Sequence, residues 1–280
     1  MGSDPKPRGR VLAIAGSDPS GGAGIEADIK TITALGGFAA TAITAITLQD
    51  THGVHDIRYM DPVFVGRQIE AVMADIGADC IKIGMLGSAD MVRAVAGALK
   101  EAAAGIPVVL DPVLASTRGQ DFLGAEALED LTTLLLPAAS LLTPNIHEAQ
   151  ALTGLEIGSA EDMQPAALAL IEMGAGAVLL KGSHLPGPTI TDLLIWADGS
   201  RVFEAPRIDS KNTHGTGCTL ASAVATGLAF GLPLESAAST ARDFVRRAIE
   251  LAPGLGGGDG PLGHAAAGGK AGAKKGSENV

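Results

Sequence analysis

Residues 212–223 read N-T-H-G-T-G-C-T-L-A-S-A, and the fold and the chemistry of the chain both turn on them. A turn-prone Asn212-Thr213-His214 lead-in is followed by Gly215-Thr216-Gly217, then by small apolar residues compatible with a helix over 218–230. Glycines ahead of a helix let consecutive backbone N–H groups face one point, and a helix start carries unpaired donors and partial positive charge. The stretch therefore predicts an anion cradle, suited to phosphate or to charge that develops during phosphoryl transfer. Cys218 falls in the first turn, where a thiolate is favoured. A glycine turn that merely starts a buried helix, with Cys218 as an apolar filler, is the plainer reading. The rest of the chain decides between them.

Composition bounds the answer. The chain has 280 residues, of which 46% are hydrophobic and only 3% aromatic, with 38 glycines. That suits a single α/β domain with an aliphatic core and many tight turns. A net charge of −11 argues against a nucleic-acid or anionic-membrane surface. The two cysteines, Cys80 and Cys218, make no disulfide framework and lack metal-ligand spacing. No stretch approaches a membrane span and the N-terminus lacks a signal-peptide core, so a reducing cytoplasm is the expected compartment.

Ahead of the Gly215 loop, strands and helices alternate. Residues 11–15 read as a buried strand and 16–24 (G-S-D-P-S-G-G-A-G) as a glycine loop, with Ile25, Ile29, Ile32 and Leu35 the stripe of a helix. The loop lacks the Gly-Lys-Ser/Thr of a P-loop. Gly22, Gly24 and Ala27 match a dinucleotide fingerprint only weakly, with Asp50 a poor stand-in for its acidic residue. Residues 38–47 form an Ala-, Ile- and Thr-rich segment ahead of Gln49. Asp61-Pro62 starts a helix, 80–84 is a strand, Ser88 caps a helix to 104, and 106–110 is a strand ending at Asp111. There follow a helix at 125–136, a strand at 140–142, and a helix start carrying Asn145 and Glu148. Ser159 and Asp162 resemble a variant capping box, and a strand at 177–180 ends in Lys181. Residues 190–196 and 201–203 around Asp198-Gly199 predict a β-hairpin. Two helices, 216–230 and 234–251, come last, before a tail from Ala265 that lacks periodicity and is expected to be disordered.

Such alternation predicts a mostly parallel sheet covered on both faces, with ligand bound beyond the carboxyl ends of the strands. Gly16, Gln49, Met85, Asp111, Asn145, Lys181 and the Gly215 loop all fall at those ends. Asp111, with Asn145 and Glu148, offers oxygen ligands to Mg²⁺. Lys181 supplies a point charge for a polyphosphate, and the Gly215 loop a seat for the transferring group. His52, His55, His147 and His184 read as surface or core residues, whereas His214 beside the loop is a candidate contact.

Several longer motifs stand in this order: A-I-A-G-S-D-P-S-G-G-A-G-I-E-A-D-I-K at 13–30, K-I-G-M-L at 82–86, L-D-P-V at 110–113, L-T-P-N at 142–145, L-K-G-S-H at 180–184 and K-N-T-H-G-T-G-C-T-L at 211–220. Over residues 10–264 the chain resembles the hydroxymethylpyrimidine/phosphomethylpyrimidine kinases of thiamine biosynthesis, a branch of the ribokinase-like superfamily. The resemblance implies a three-layer α/β/α kinase domain at 10–264 with a mostly parallel central sheet and a small β-hairpin at 190–203. A loose lead-in at 1–9 and a disordered tail at 265–280 would flank it.

The activity so implied is two successive phosphorylations with ATP and Mg²⁺, carried out by a cytoplasmic homodimer. The first acts on 4-amino-5-hydroxymethyl-2-methylpyrimidine and the second on its monophosphate. By the same resemblance Gln49 hydrogen-bonds the pyrimidine, in a pocket with Gly16, Asp28, Met85 and Val113. Lys181, Asn145 and His214 meet ATP, and Asp111 and Glu148 the metal. Gly215, Thr216, Gly217 and Cys218 carry the transfer, Cys218 standing as base where many superfamily members have aspartate. Gln49-Asp50-Thr51 departs from the Gln-Asn-Thr common in relatives and puts a carboxylate beside the pocket. Pyridoxal kinase activity is the rival within the class. A pyrimidine sensor without catalysis and an NAD-dependent oxidoreductase are rivals outside it.

Overall fold

Runs such as Val11-Leu12-Ala13-Ile14, each residue fully buried, need cover on both faces, which only an inner strand of a covered sheet provides. The computed structural model describes residues 9–115 and 122–269; the lead-in at 1–8 and the tail from 270 lie outside the described residues. Strands β1 (Arg10–Ser17), β2 (Phe38–Asp50), β3 (Gly53–Tyr59), β4 (Cys80–Ile83), β5 (Val108–Leu110), β6 (Leu141–Leu142), β7 (Ala177–Leu180), β8 (Thr189–Trp196) and β9 (Gly199–Pro206) form one sheet, in the order β3-β2-β1-β4-β5-β6-β7-β8-β9. From β2 to β7 every pairing is parallel, and the two edges are antiparallel.

The pleat sorts the core into two. Leu12, Ile14, Ile81, Ile83 and Leu110 face one layer, built from α2 (Pro62–Asp75), α3 (Ala89–Ala102), α5 (Ile146–Thr153) and α6 (Met163–Glu172). Val11, Cys80, Val109 and Leu179 face the other, built from α1 (Gly24–Ala34), α7 (Thr216–Ala229), α8 (Leu234–Glu250) and α9 (His264–Gly268). Alternate residues of one strand thus feed opposite cores, the period of two expected of a strand. The fold is the ribokinase-like α/β/α architecture implied by the motifs. Caps fall where the sequence puts them: Asp61 accepts from Phe64 N, and Ser88 from Met91 N.

Five local expectations change. The small hairpin expected at 190–203 is longer, Thr189–Trp196 with Gly199–Pro206, and β8 pairs with β7, so it extends the central sheet. Strand β3 went unread, its H-D and R-Y pairs being exposed on an edge that needs no apolar alternation. The helix expected at 125–136 is α only at α4 (Ala125–Asp130), then turns wider over Leu131–Leu135 and tighter over Leu136–Ala138. There Thr132 and Thr133 both donate to the Glu129 carbonyl and compete with the helical ladder. The box at Ser159 is half formed: Asp162 accepts from Ser159 N and Oγ, but the helix begins at Met163. Lastly, the expected loss of order from Ala265 is corrected by α9, on which Ala267 is buried; Thr219 Oγ1 lies 2.9 Å from His264 Nε2.

Candidate active site

The chain places β2 on one side of β1 and β4 on the other, so a crevice opens at their carboxyl ends where the strand order reverses. A cleft of about 1310 Å³ runs from there, lined by every residue expected to meet substrate, ATP, metal or the transferring group except Asp28.

Helix α7 starts in its middle. Gly215 caps that helix at φ 83°, and a β-carbon on it would overlap the Gly22 carbonyl oxygen, so only glycine fits. The 16–24 loop and the 212–217 loop are locked together at this point. A β-carbon on Gly217 would lie 3.3 Å from Lys181 Nζ and 3.5 Å from Asp111 Oδ2. Thr216 N–H donates to the Thr213 carbonyl at 3.3 Å, and the helix start from Gly217 onward lies beside a cation and a carboxylate.

Lys181 leaves β7 with its ammonium 3.1 Å from Asp111 Oδ1 and 3.8 Å from Glu148 Oε2. Thr143 donates to the same Asp111 oxygen at 3.0 Å. Burial pulls the Lys181 pKa down, but Asp111 and Glu148 outweigh it and hold the lysine above its ordinary value. Asn145 and Glu148 form a full capping box, each side chain accepting from the other's backbone N–H, at 2.9 and 2.7 Å. The Asn145 oxygen is thus committed to the helix, and its amide N–H groups are what remain for a ligand. Burial pushes the Glu148 carboxyl up to about 7, against the pull of Lys181 and with a smaller push from Asp111.

At the β2 end, Gln49 faces the cleft with Met85 and Val113, and the Met85 methyl group occupies the space that a side chain on Gly16 would need. Met85 packs with Ala45 and Phe122 in a small apolar cluster. At the β8 end, beyond Lys181, the wall is apolar: Ile190, Leu220, Val245 and Ile249. Sequence reading missed this wall, whose residues look like ordinary helix and strand stripes until the fold aligns them. It also missed Arg207, which donates to the carbonyls of Ser183, Leu185 and Gly187 and ties down the loop after β7.

Three placements correct the sequence reading. Asp28 does not line the cleft. It is fully buried behind it, 2.9 Å from Lys82 Nζ, and accepts from Ser222 Oγ at 2.7 Å. His214 stands at the Gln49 end rather than with Lys181, its Nε2 2.8 Å from Asp18 Oδ2. The Cys218 thiol is not ionised. Burial pushes it up to about 11, against the pull of Lys82, because removal from water outweighs the field of a helix start. Asp50 turns away from the cleft, pairing with His55 at 3.1 Å. His147 and His184, read as surface or core residues, are exposed, and their tilted rings lie 4.6 Å apart on the cleft wall.

A family model described as phosphomethylpyrimidine kinase matches residues 18–263. The chain belongs to that kinase family. It is 44% identical to a hydroxymethylpyrimidine/phosphomethylpyrimidine kinase of Streptomyces coelicolor, over 91% of this chain and 93% of that one. It is 47% identical to the thiamine biosynthesis bifunctional protein ThiED of Geobacter sulfurreducens, covering 93% of this chain but only 53% of the longer relative. The crystal structure of an ADP complex of Bacillus subtilis pyridoxal kinase superposes with a TM-score of 0.84, at 34% identity, over 92% of this chain and 97% of that one. Against this kinase family the weak dinucleotide match of the 16–24 loop carries no further weight. Among the described residues no helix is long and apolar enough to cross a membrane.

Proposed function

We propose that the protein is an ATP-dependent kinase of thiamine biosynthesis, which phosphorylates 4-amino-5-hydroxymethyl-2-methylpyrimidine and then its monophosphate. The observation that carries this reading is the layout of the cleft. An amide on an apolar ledge, Gln49 with Met85 and Val113, lies at one end, and Lys181 beside the α7 start at the other. An aminopyrimidine edge presents a donor next to an acceptor, and a side-chain amide meets both. The apolar wall of Val245 and Ile249 suits a purine, and the pyridoxal kinase that this chain resembles was solved with ADP.

Phosphoryl transfer passes through a loose transition state, so positioning and charge stabilisation do most of the work. Lys181 and the first N–H groups of α7 hold the transferring group. Among the described residues no cluster of three or more His, Cys, Asp or Glu residues could hold a metal ion. Mg²⁺ on a polyphosphate needs only one or two carboxylates, and Asp111 and Glu148, bracketing Lys181, fit that need. When bound, the ion would neutralise phosphate charge. A homodimer is supported by Ile46 and Leu48, 52% and 63% exposed on the outward face of β2. The absence of membrane-spanning helices among the described residues and the two free thiols suit a cytoplasmic enzyme.

The likeness to pyridoxal kinase sustains a second reading, phosphorylation of a B6 vitamer. Coupled ATP turnover of the purified protein, with the hydroxymethylpyrimidine, its monophosphate and pyridoxal side by side, separates the two. We expect both pyrimidines to turn over faster than pyridoxal. A preference for pyridoxal overturns the assignment, and pyrimidine binding without ATP turnover makes the protein a sensor.

A further inference from the structure

The hydrogen bonds around Gln49 do not balance as the amide stands. Its Nε2 lies 3.3 Å from His214 Nε2, and its Oε1 lies 3.2 Å from Thr47 Oγ1. His214 Nε2 is also 2.8 Å from Asp18 Oδ2. Asp18 is buried, and although burial raises its pKa, hydrogen bonds from His214 and Ser20 more than compensate and keep it ionised. A carboxylate only accepts, so His214 Nε2 must carry its proton toward Asp18. That makes the contact with Gln49 Nε2 one between two donors. Thr47 has a single hydroxyl proton for two acceptors, the Ser17 carbonyl at 3.0 Å and Gln49 Oε1 at 3.2 Å, and the nearer one takes it. That makes the contact with Gln49 Oε1 one between two acceptors.

Exchanging the oxygen and nitrogen of the amide, which are of nearly equal size, mends both contacts at once. Gln49 then donates to Thr47, and its oxygen shares the His214 proton. The histidine has little freedom to do otherwise. It is 7% exposed, its backbone N–H donates to the Gly260 carbonyl at 3.2 Å, and its ring fills the space where a side chain on Gly22 would stand.

We propose that His214, held by Asp18, is a positioning residue that fixes the orientation of the Gln49 amide and so sets the preference for an aminopyrimidine edge over a hydroxypyridine. This deepens the kinase reading above and rests on it. With its oxygen pinned toward His214 and one N–H spent on Thr47, Gln49 offers a substrate one oxygen lone pair and one N–H in fixed places. An exocyclic amine satisfies the oxygen. The ring hydroxyl of pyridoxal, once ionised, presents an acceptor to the same oxygen and is disfavoured.

Two measurements test this. In the protein without substrate, cross-relaxation between the Gln49 side-chain amide protons and the Thr47 methyl group should exceed that to the His214 ring. The reverse pattern overturns the orientation, whatever the substrate proves to be. In kinetics, His214→Phe keeps a ring against Gly22 but loses the N–H. The ratio of kcat/KM for the hydroxymethylpyrimidine to that for pyridoxal should fall roughly three- to ten-fold, mostly through KM for the pyrimidine. His214→Gln, which returns an N–H near the Nε2 position, should restore most of it. Equal losses on both substrates, or no rescue by glutamine, would mean that His214 only supports the loop. A wild-type protein that turns over pyridoxal alone, with the amide cross-relaxation as expected, refutes the aminopyrimidine assignment and leaves the orientation standing.

Discussion

Lys82→Met should destabilise the protein by about 3–5 kcal/mol, the cost of breaking a buried ion pair from one side. Lys82 is fully buried, and its ammonium bridges both oxygens of Asp28, 2.9 and 3.0 Å away, with Ser222 as a further donor. Burial alone would pull its pKa down. Asp28 reverses that and holds the lysine above its ordinary value, with smaller help from Asp111. Methionine fits the volume but leaves the Asp28 carboxylate facing an apolar wall with only Ser222. Denaturant unfolding should show the midpoint falling with the slope unchanged. The double variant Lys82→Met, Asp28→Leu should recover much of the loss, because it removes the stranded charge along with its partner. A single variant as stable as wild type would show that the pair contributes nothing, and a double variant worse than the single would show that packing, not charge, is at stake.

That pair also marks where the sequence was hard to read. The covered parallel sheet was legible because its strands are short apolar runs ending in glycine, proline or a polar residue, and the site was legible because those ends collect in one crevice. Lys82 carried a signal of its own: a lysine inside C-I-K-I, on a strand buried on both faces, must have an acidic partner. The spacing of Asp28 on α1 gives no hint that it is that partner, since the pairing joins residues 54 apart through tertiary packing. The resemblance puts Asp28 in the substrate pocket, and the structure sets it one layer behind. His214 was misplaced for a related reason. Its neighbour Gly215 belongs to the phosphate side of the cleft, but the imidazole of His214 itself lies against Asp18, 2.8 Å away. The polar strand β3 and the wide turn after α4 escaped because edge exposure and threonine competition leave no periodic mark.

Cys218→Ala should lower turnover about a thousand-fold while changing the pyrimidine KM little, if the residue takes the hydroxyl proton as the nucleophile attacks. The thiol sits in the first turn of α7, with Lys82, Asp28 and Asp111 as the charged groups around it and the Gly24 backbone N–H hydrogen-bonded to it. Lys82 and that N–H favour the thiolate. Burial, Asp28 and Asp111 oppose it, and the balance leaves the pKa at about 11. Only the thiolate can accept a proton, and below that pKa its fraction grows about ten-fold for each pH unit. Single-turnover phosphoryl transfer in the wild type should therefore climb with a slope near one, in logarithmic units, between about pH 8 and pH 10. Glu148, pushed up to about 7, is already mostly ionised through this window and adds little to the slope. Cys218→Ala should be both slow and flat across the same range. A wild-type profile as flat as that of the variant means that the proton leaves without the thiolate, as a loose transition state permits, and Cys218 then lines the anion site as a neutral group. A variant that keeps its turnover and loses only affinity for the pyrimidine would move Cys218 from the chemistry to the substrate pocket.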